Sequence, residues 1–284
     1  MLSLAGCESP SPADSRPDVV AVIGRTGRGP GEFVYPRAID IADDGTLFVV
    51  DKTGRVQHLT AEGEFLGAFR MPRIEKGKPT GLTVGPDGRL YVADTHYHRV
   101  MIFDADGREL SRFGGYGRGD GQFIYPTDVV VAADGRIFVS EYGGNDRVSV
   151  FSPEGELLYS FGAPGEGAGE FSRPSALALD AERNCLYVAD ACNHRIARYT
   201  PEGKLLGYIG AAGRRPGELR YPYDLALLDS GTLVVCEFGN NRIQLFDPQG
   251  RSVGLLGRAG RDVGMLAYPW GVAVDNRRLC YVVD

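Results

Sequence analysis

The sequence predicts an all-β fold in which six sheets of four antiparallel strands stand around one axis, as in a six-bladed β-propeller. Two observations carry this prediction: a large amount of turn-forming backbone, and six copies of one sequence motif. Glycine supplies 40 of the 284 residues, which is about twice its usual share of about 7%. Together with the 17 prolines, this composition favours many short strands joined by turns over long helices.

The repeated motif is a β-rich run that ends in an acidic residue and follows a proline. Its copies recur about every 47 residues, a period typical of propellers and other repeat folds. The acids are Asp51, Asp94, Glu141, Asp190, Glu237 and Asp284, and the prolines are Pro36, Pro79, Pro126, Pro174, Pro222 and Pro269. In the first five copies an arginine follows the acid and opens a further β-rich run.

Each unit contains four strand-like runs, which in the fourth unit span residues 176–180, 185–190, 195–200 and 204–209. A Pro-Glu-Gly sequence separates the last two runs and suits a tight hairpin. Four short antiparallel strands, repeated six times without a helical period, predict one propeller blade per unit.

The two ends of the chain indicate how the ring closes. Residues 19–24 are similar to the fourth strand of the other units but precede the first unit, and the sixth unit stops at Asp284 after its second strand. We therefore expect residues 19–24 to form the outer strand of the last blade and to cover its exposed edge. The propeller domain is predicted to span residues 19–284, with a last blade that lacks its third strand at the C-terminus.

The repeat resembles the NHL repeat. Its pattern is met by Leu186-Tyr187-Val188-Ala189-Asp190 followed by Asn193-His194-Arg195-Ile196, and the WD40 signature fails because the only tryptophan, Trp270, precedes glycine. The resemblance implies a six-bladed propeller with a habit of binding. It implies no single activity, because the family includes scaffolds, receptor sensor domains, RNA binders and lyases.

The first residues bear on location. Leu4-Ala5-Gly6-Cys7 resembles a bacterial lipobox, so Cys7 is the predicted site of lipidation and residues 1–18 are predicted to be a lipobox remnant and a flexible tether. The charged and apolar regions of a signal peptide do not precede Cys7, so a chance match is the alternative. We expect a periplasmic or extracellular protein at the cell envelope, in contact with the membrane only through its lipid anchor; a cytoplasmic protein is the alternative.

No set of residues with a recognised catalytic pattern is found. The nucleophile motif G-x-S-x-G and the phosphate-binding motif G-x-x-x-x-G-K-[ST] are both absent. The recurring acid and arginine predict a clamp on the loop between the second and third strands of each blade, with a ring of cation-binding acids as the alternative. The cysteines of the repeats are expected to be buried free thiols, since Cys185 and Cys192 flank one strand and stand too far apart for a disulfide.

Two histidines raise the question of a metal. His98 and His194 occupy the same position of the repeat, just before the arginine, which predicts a role in the repeat itself and no cofactor. The alternative is a divalent metal such as calcium or zinc in the central channel, with these two histidines among its ligands.

One face of the propeller is the predicted binding surface. The loops from the fourth strand of one blade to the first strand of the next (the 4→1 loops) share this face with the loops between second and third strands. Where residues of this face depart from the repeat, blade stability does not require them, and several are aromatic anchors. The candidate binding residues are Arg37, Tyr97, Tyr142, Tyr223, Phe238 and Trp270. Plugging of the channel mouth by Tyr223 or Trp270 is the alternative role.

These observations predict a non-enzymatic, monomeric binding or scaffold module that recognises a protein or a small molecule on its loop face. The alternative is a metal-dependent propeller enzyme, a lyase or a lactone hydrolase, with its site in the channel. The formal net charge of −6 and the apparent export signal argue against nucleic acid as a partner. The 4→1 loops nevertheless carry more basic than acidic residues, which would attract an anionic partner to their face.

Overall fold

A computed structural model describes the backbone of residues 2–6 and all atoms of residues 19–284. The described residues form six four-stranded antiparallel sheets and one short parallel pair. The innermost strand of each sheet contacts the innermost strand of the next, and the sixth contacts the first. The predicted six-bladed β-propeller is therefore confirmed.

The strands are given in chain order, with blades numbered by repeat. Four strands precede the first complete blade: β1 (Leu2–Gly6), β2 (Val19–Ile23), β3 (Arg25–Thr26) and β4 (Glu32–Phe33). Blade 1 contains β5 (Pro36–Ile41), β6 (Leu47–Asp51), β7 (Arg55–Leu59) and β8 (Phe65–Arg70). Blade 2 contains β9 (Gly81–Val84), β10 (Leu90–Asp94), β11 (Arg99–Phe103) and β12 (Glu109–Gly114). Blade 3 contains β13 (Tyr125–Val131), β14 (Ile137–Tyr142), β15 (Arg147–Phe151) and β16 (Leu157–Phe161).

The remaining blades continue the same order. Blade 4 contains β17 (Pro174–Asp180), β18 (Cys185–Asp190), β19 (Arg195–Tyr199) and β20 (Leu205–Ile209). Blade 5 contains β21 (Pro222–Leu227), β22 (Leu233–Glu237), β23 (Arg242–Phe246) and β24 (Ser252–Leu256). Blade 6 begins with β25 (Gly271–Val274) and β26 (Leu279–Val283), and single-turn 3₁₀ helices span Thr95–Tyr97 and Ala191–Asn193. No helix of the described part of the chain is long and apolar enough to cross a membrane.

The hydrophobic core is divided into six layers, each between two neighbouring blades. Val50 of blade 1, for example, shares one buried cluster with Leu82 and Met101 of blade 2. The second strands are almost entirely buried, as in β6, whereas outer strands such as β24 alternate between more and less exposed positions. Apolar residues on both faces of the inner strands thus hold the blades together, because each face packs against a different neighbour.

Closure of the ring uses the N-terminal strand as predicted. β2 is the outermost strand of blade 6, in which the order is β2-β1-β26-β25. Because β2 leads directly into blade 1, the chain itself links the last blade to the first. This arrangement leaves blade 6 with four strands and covers the edge that β26 would otherwise expose.

The third strand of blade 6 differs from the expectation. The sequence placed residues 1–18 outside the propeller and the missing strand beyond Asp284, whereas the third strand is β1, which pairs antiparallel with β26 from Leu2↔Val283 to Gly6↔Leu279. On its other side β1 pairs with β2. The physical reason is backbone pairing: β1 satisfies the open hydrogen-bonding edges of both β26 and β2. Cys7 and the predicted tether lie outside the described residues.

Candidate functional site

Five of the six 4→1 loops contain the same hydrogen-bonded turn, which packs an apolar side chain between two neighbouring blades. A glycine N–H near the start of the loop donates to the carbonyl of a large apolar residue near its end, as from Gly117 to Phe123 at 3.1 Å. That apolar side chain is buried in the core between the blades. The five are Phe33, Phe123, Phe171, Leu219 and Leu266.

Each 4→1 loop is assigned to the blade whose first strand follows it. In blades 1, 3, 4 and 5 this loop is also held by the recurring acid–arginine pair. In blade 5, Nε of Arg242 lies 2.6 Å from Oε1 of Glu237, and the guanidinium donates to the backbone carbonyls of Arg214, Arg215 and Glu218 in the 4→1 loop. Glu237 also accepts the backbone N–H of Arg220. The predicted clamp therefore reaches beyond the loop between the second and third strands and fixes the 4→1 loop as well.

Blade 2 is the exception, because its 4→1 loop, residues 71–79, has another sequence and leans over the channel. Arg99 still pairs with Asp94 at 2.9 Å. In the described structure, however, Oδ1 of Asp94 and Nη2 of Arg99 are buried without a hydrogen-bond partner. Burial raises the pKa of Asp94. The loop is instead tied down by Tyr97, whose hydroxyl donates to Glu75 at 2.8 Å.

A cavity of about 710 Å³ occupies the channel on the loop face. Its mouth is ringed by the residue that follows the repeated proline in each blade, so all six of these positions converge. They are Arg37, Thr80, Thr127, Ser175, Tyr223 and Trp270. A volume of this size lies within the range of about 300–1,000 Å³ that is typical of small-molecule sites.

The ring has two unlike halves. In blades 2, 3 and 4 the residue is a small alcohol whose hydroxyl donates to a carbonyl one repeat further on: Thr80 to Thr127, Thr127 to Pro174 and Ser175 to Pro222, at 2.8–3.0 Å. These three side chains latch neighbouring blades together. In the consecutive blades 5, 6 and 1 the position holds Tyr223, Trp270 and Arg37, which make no such bond among the described residues.

The large half of the ring is a cluster of aromatic and cationic side chains. The ring centroids of Tyr223 and Trp270 are 5.0 Å apart, and Cζ of Arg37 stands 3.6 Å from the centroid of Trp270. Arg173, the residue before the proline of blade 4, has its Cζ 5.2 Å from the ring of Tyr142 and 5.4 Å from that of Tyr223. Burial lowers the pKa of Arg37, and the positive charge of Arg173 lowers it further.

Three aspartates line the wall of the cavity below this cluster. Each accepts a backbone N–H from the inner strand of the following blade: Asp40 from Val84, Asp128 from Leu177 and Asp224 from Val272, at 2.8–2.9 Å. Burial raises the pKa of Asp40 to about 6 and that of Asp128 to about 7, and it raises that of Asp224 well above its usual value. Each of these carboxyls therefore joins two neighbouring blades. When ionised, the three carboxylates also repel one another across the channel.

The predicted binding residues are only partly brought together. Arg37, Tyr142, Tyr223 and Trp270 line the cavity. Phe238 lies behind them, stacked on Tyr223 with centroids 4.7 Å apart. Tyr97 stands on the opposite side, where it holds the loop of blade 2.

The two histidines of the metal alternative lie at different joints between blades. Nδ1 of His98 donates to the carbonyl of Ile124, and Nδ1 of His194 accepts the backbone N–H of Tyr221 at 3.1 Å. Asp146 occupies the same repeat position and accepts the N–H of Arg173. No group of three or more histidine, cysteine, aspartate or glutamate side chains in the described residues is arranged to hold a metal ion.

The cysteines differ from expectation at one position. Cys185, Cys236 and Cys280 are buried, whereas Cys192 is exposed. Cys192 sits in the short helix that connects β18 to β19, outside the strands of the blade. The prediction of a buried thiol was therefore wrong for Cys192.

Several residues of the cavity were missed in the sequence. Arg173 departs from a position that is tyrosine in four other units, the same kind of signal that singled out Trp270 one position later. The aspartates carried no such signal, because Asp128 and Asp224 fall where the repeat pattern itself allows aspartate. Lys52 and Lys78, which also line the mouth, were hidden among the many basic loop residues.

Comparison with protein families supports the repeat assignment. A model described as a 6-bladed beta-propeller matches residues 128–210, and one described as the NHL repeat matches residues 77–103. The chain is 40% identical over 76 residues to Protein brain tumor of Drosophila melanogaster, a match that covers 26% of this chain and 7% of that protein. The matched stretch is thus a small part of that relative's length.

Solved structures of similar shape have diverse roles. The streptogramin B lyase structure superposes with a TM-score of 0.63 at 16% identity, covering 87% of this chain and 93% of that one. A chain of the nidogen/laminin complex superposes with a TM-score of 0.65 at 14% identity, covering 96% of this chain and 97% of that one. At such low identity these likenesses establish the shared fold alone.

The buried aspartates predict an unusual dependence of stability on pH. The pKa of Asp128 is about 7 in the folded protein against about 3.9 in an unfolded chain. The folded state therefore holds a proton that the unfolded state releases, so the stability due to this group falls as pH rises from about 4 to about 7. The wild type loses the stability due to this group between about pH 5 and about pH 8, and Asp128→Asn does not, so the unfolding free energy of the variant relative to that of the wild type should rise by about 3 kcal/mol over this range. Urea unfolding at both pH values measures the gain.

The matched control is Asp120→Asn, at an exposed aspartate of a 4→1 loop. Its unfolding free energy relative to the wild type should stay constant between the two pH values. An equal change for both variants, or none for Asp128→Asn, would contradict the assigned protonation.

Proposed function

We propose that this chain, which belongs to the NHL-repeat family of six-bladed β-propellers, is a non-enzymatic binding module whose ligand enters the channel mouth on the loop face. One observation carries the proposal: three consecutive blades place Tyr223, Trp270 and Arg37 where the other three place small interblade latches. Blades 2 to 4 have threonine or serine at this position, so the blade structure does not require a large side chain there. The large side chains are thus available for contact with a ligand.

The composition of the mouth supports binding more than catalysis. Its aromatic rings offer large rigid surfaces, which commonly anchor partners. The acids and histidines that could act as proton carriers or metal ligands are engaged with backbone groups at the joints between blades. Known structures of similar shape include a lyase and a chain of the nidogen/laminin complex, so both kinds of role are compatible with the fold.

The proposal predicts that truncation of a side chain of the aromatic cluster weakens binding without unfolding the ring. Purified protein is incubated with the small-molecule fraction of a cell-envelope extract, and bound mass is read by native mass spectrometry. Trp270→Ala and Tyr223→Ala should each weaken a bound species by about thirtyfold, because an aromatic anchor is worth about 2 kcal/mol. Tyr116→Ala, at a tyrosine that is 71% exposed on the same face, is the control and should bind as the wild type does.

Two results would contradict the proposal. If the melting temperature of Trp270→Ala and Tyr223→Ala falls while the bound species is unchanged, the two side chains only plug the channel. If the dialysed wild-type protein retains a metal in stoichiometric amount, the alternative enzyme, a lyase or lactone hydrolase with calcium or zinc in its channel, is favoured instead.

For location, we propose attachment to the outside of the cytoplasmic membrane through a lipid on Cys7. The lipobox-like sequence before Cys7 supports this. The same residues form β1, so cleavage before Cys7 would remove that strand from blade 6. Growth of cells that express the complete gene with labelled fatty acid should label the protein, and Cys7→Ala should lose the label; equal labelling of both would contradict the anchor.

A further inference from the structure

We propose that the ligand of the channel mouth carries an oxyanion, a carboxylate or a phosphate, on a flat apolar body. The anionic group would lie between the guanidinium groups of Arg37 and Arg173, and the apolar body against Trp270 and Tyr223. The inference rests on the proposed function, since it names the class of ligand for the same site.

The first support is that both guanidinium groups lack an acidic partner. The clamp arginines of the blades, such as Arg55 and Arg242, pair with buried carboxylates. Among the described residues, neither Arg37 nor Arg173 has an ion pair or a side-chain hydrogen bond. A partly buried guanidinium in this state has lost water without gaining an acceptor, and its planar fork fits a carboxylate or a phosphate.

The second support is the way the two arginines are held. Arg37 is stacked on Trp270, and Arg173 lies near the rings of Tyr142 and Tyr223. Stacking on an aromatic ring orients a guanidinium through its face and leaves the N–H groups at its edge to bind in the plane. The groups are close enough for the charge of Arg173 to lower the pKa of Arg37, a repulsion that a bound anion would relieve.

The third support is the charge around the mouth. Lys52, Lys76 and Lys78 add three cations to its lining. Glu75 adds one carboxylate to the loop of Lys76 and Lys78, where it accepts a hydrogen bond from the Tyr97 hydroxyl. Such a concentration of positive charge on a chain of net charge −6 would draw anions to this face.

The lining of the deeper part of the cavity indicates where each part of the ligand would lie. Below the mouth the lining includes apolar residues such as Leu225 and Val272 together with Asp40, Asp128 and Asp224. When ionised, those carboxyls already repel one another across the channel, so an anion deep in the channel would add to that repulsion. The oxyanion therefore belongs at the mouth and the uncharged body beside the aromatic rings.

Trp270 is the only tryptophan, so its fluorescence reports directly on the site. Wild-type protein is titrated with phenyl phosphate and with benzoate, and benzyl alcohol serves as the uncharged probe. A saturable change in Trp270 emission is expected with at least one anion, and none with benzyl alcohol over the same concentrations. Arg173→Gln should weaken the binding of the anion by about tenfold or more, because the variant loses one charge-assisted hydrogen-bonded contact.

Two further variants control for charge and folding. Arg261→Gln removes an exposed arginine from the 4→1 loop of blade 6, outside the cavity, and should bind as the wild type does. Arg173→Lys keeps the charge but loses the planar fork, so its affinity should fall between those of the wild type and Arg173→Gln. Melting temperatures identify any variant that has lost its fold.

The inference is overturned if neither anion gives a saturable change, if benzyl alcohol binds as well as the anions, or if folded Arg173→Gln and Arg173→Lys both bind as the wild type does. Its failure is distinct from that of the proposed function. If a species from the extract binds through Trp270 while the anions do not, the site stands and the ligand class is wrong. If Trp270→Ala leaves every bound species unchanged, the site itself is wrong.

Discussion

A buried carboxylate–guanidinium pair in blades 1, 3, 4 and 5 determines where the loops of the binding face lie. The acid is removed from water, which is costly, and the pair is sustained because the arginine also donates to the backbone carbonyls of the 4→1 loop. In blade 4, Arg195 bonds to Asp190 and to three carbonyls of residues 166–170. The loop then enters the next inner strand at a fixed place, so the residue after the proline points into the channel mouth. In blade 2 this support is incomplete, and the loop takes another course that brings Lys76 and Lys78 over the cavity.

The ring is latched unevenly, and in the described part of the chain the joint that lacks a latch is the one where Arg37 meets Trp270, between blades 6 and 1. Threonine and serine hydroxyls join blades 2 to 5, and Asp40 and Asp224 join blades 1 to 2 and 5 to 6. Among the described residues no inner-strand side chain makes such a bond between blades 6 and 1. That joint is closed by the chain itself, because β2 of blade 6 continues into blade 1. The first and last blades are therefore free to carry Arg37 and Trp270, which stack across the joint.

How much of this could be predicted from the sequence depended on repetition. The repeat period fixed the number of blades, and the lone strand-like run at residues 19–24 fixed the closure. Departure from the repeat singled out Tyr223 and Trp270, which do meet in the cavity. Contacts between units were beyond that reasoning, because the pairing of β1 with β26 joins the two ends of the chain. For the same reason the proximity of Asp40, Asp128 and Asp224, which arises only when the ring is closed, left no local signal.

The central claim is that Trp270 stands in a positively charged mouth of the channel. Quenching of its fluorescence by iodide and by caesium measures that charge directly in the unliganded protein. Because iodide is intrinsically the stronger quencher, each quenching constant is divided by that of N-acetyltryptophanamide in the same buffer. The normalised constant for iodide should exceed that for caesium, and Arg173→Gln should narrow the difference, because the local potential attracts the anion and repels the cation. Equal normalised constants for the two ions, or a larger one for caesium, would contradict the account.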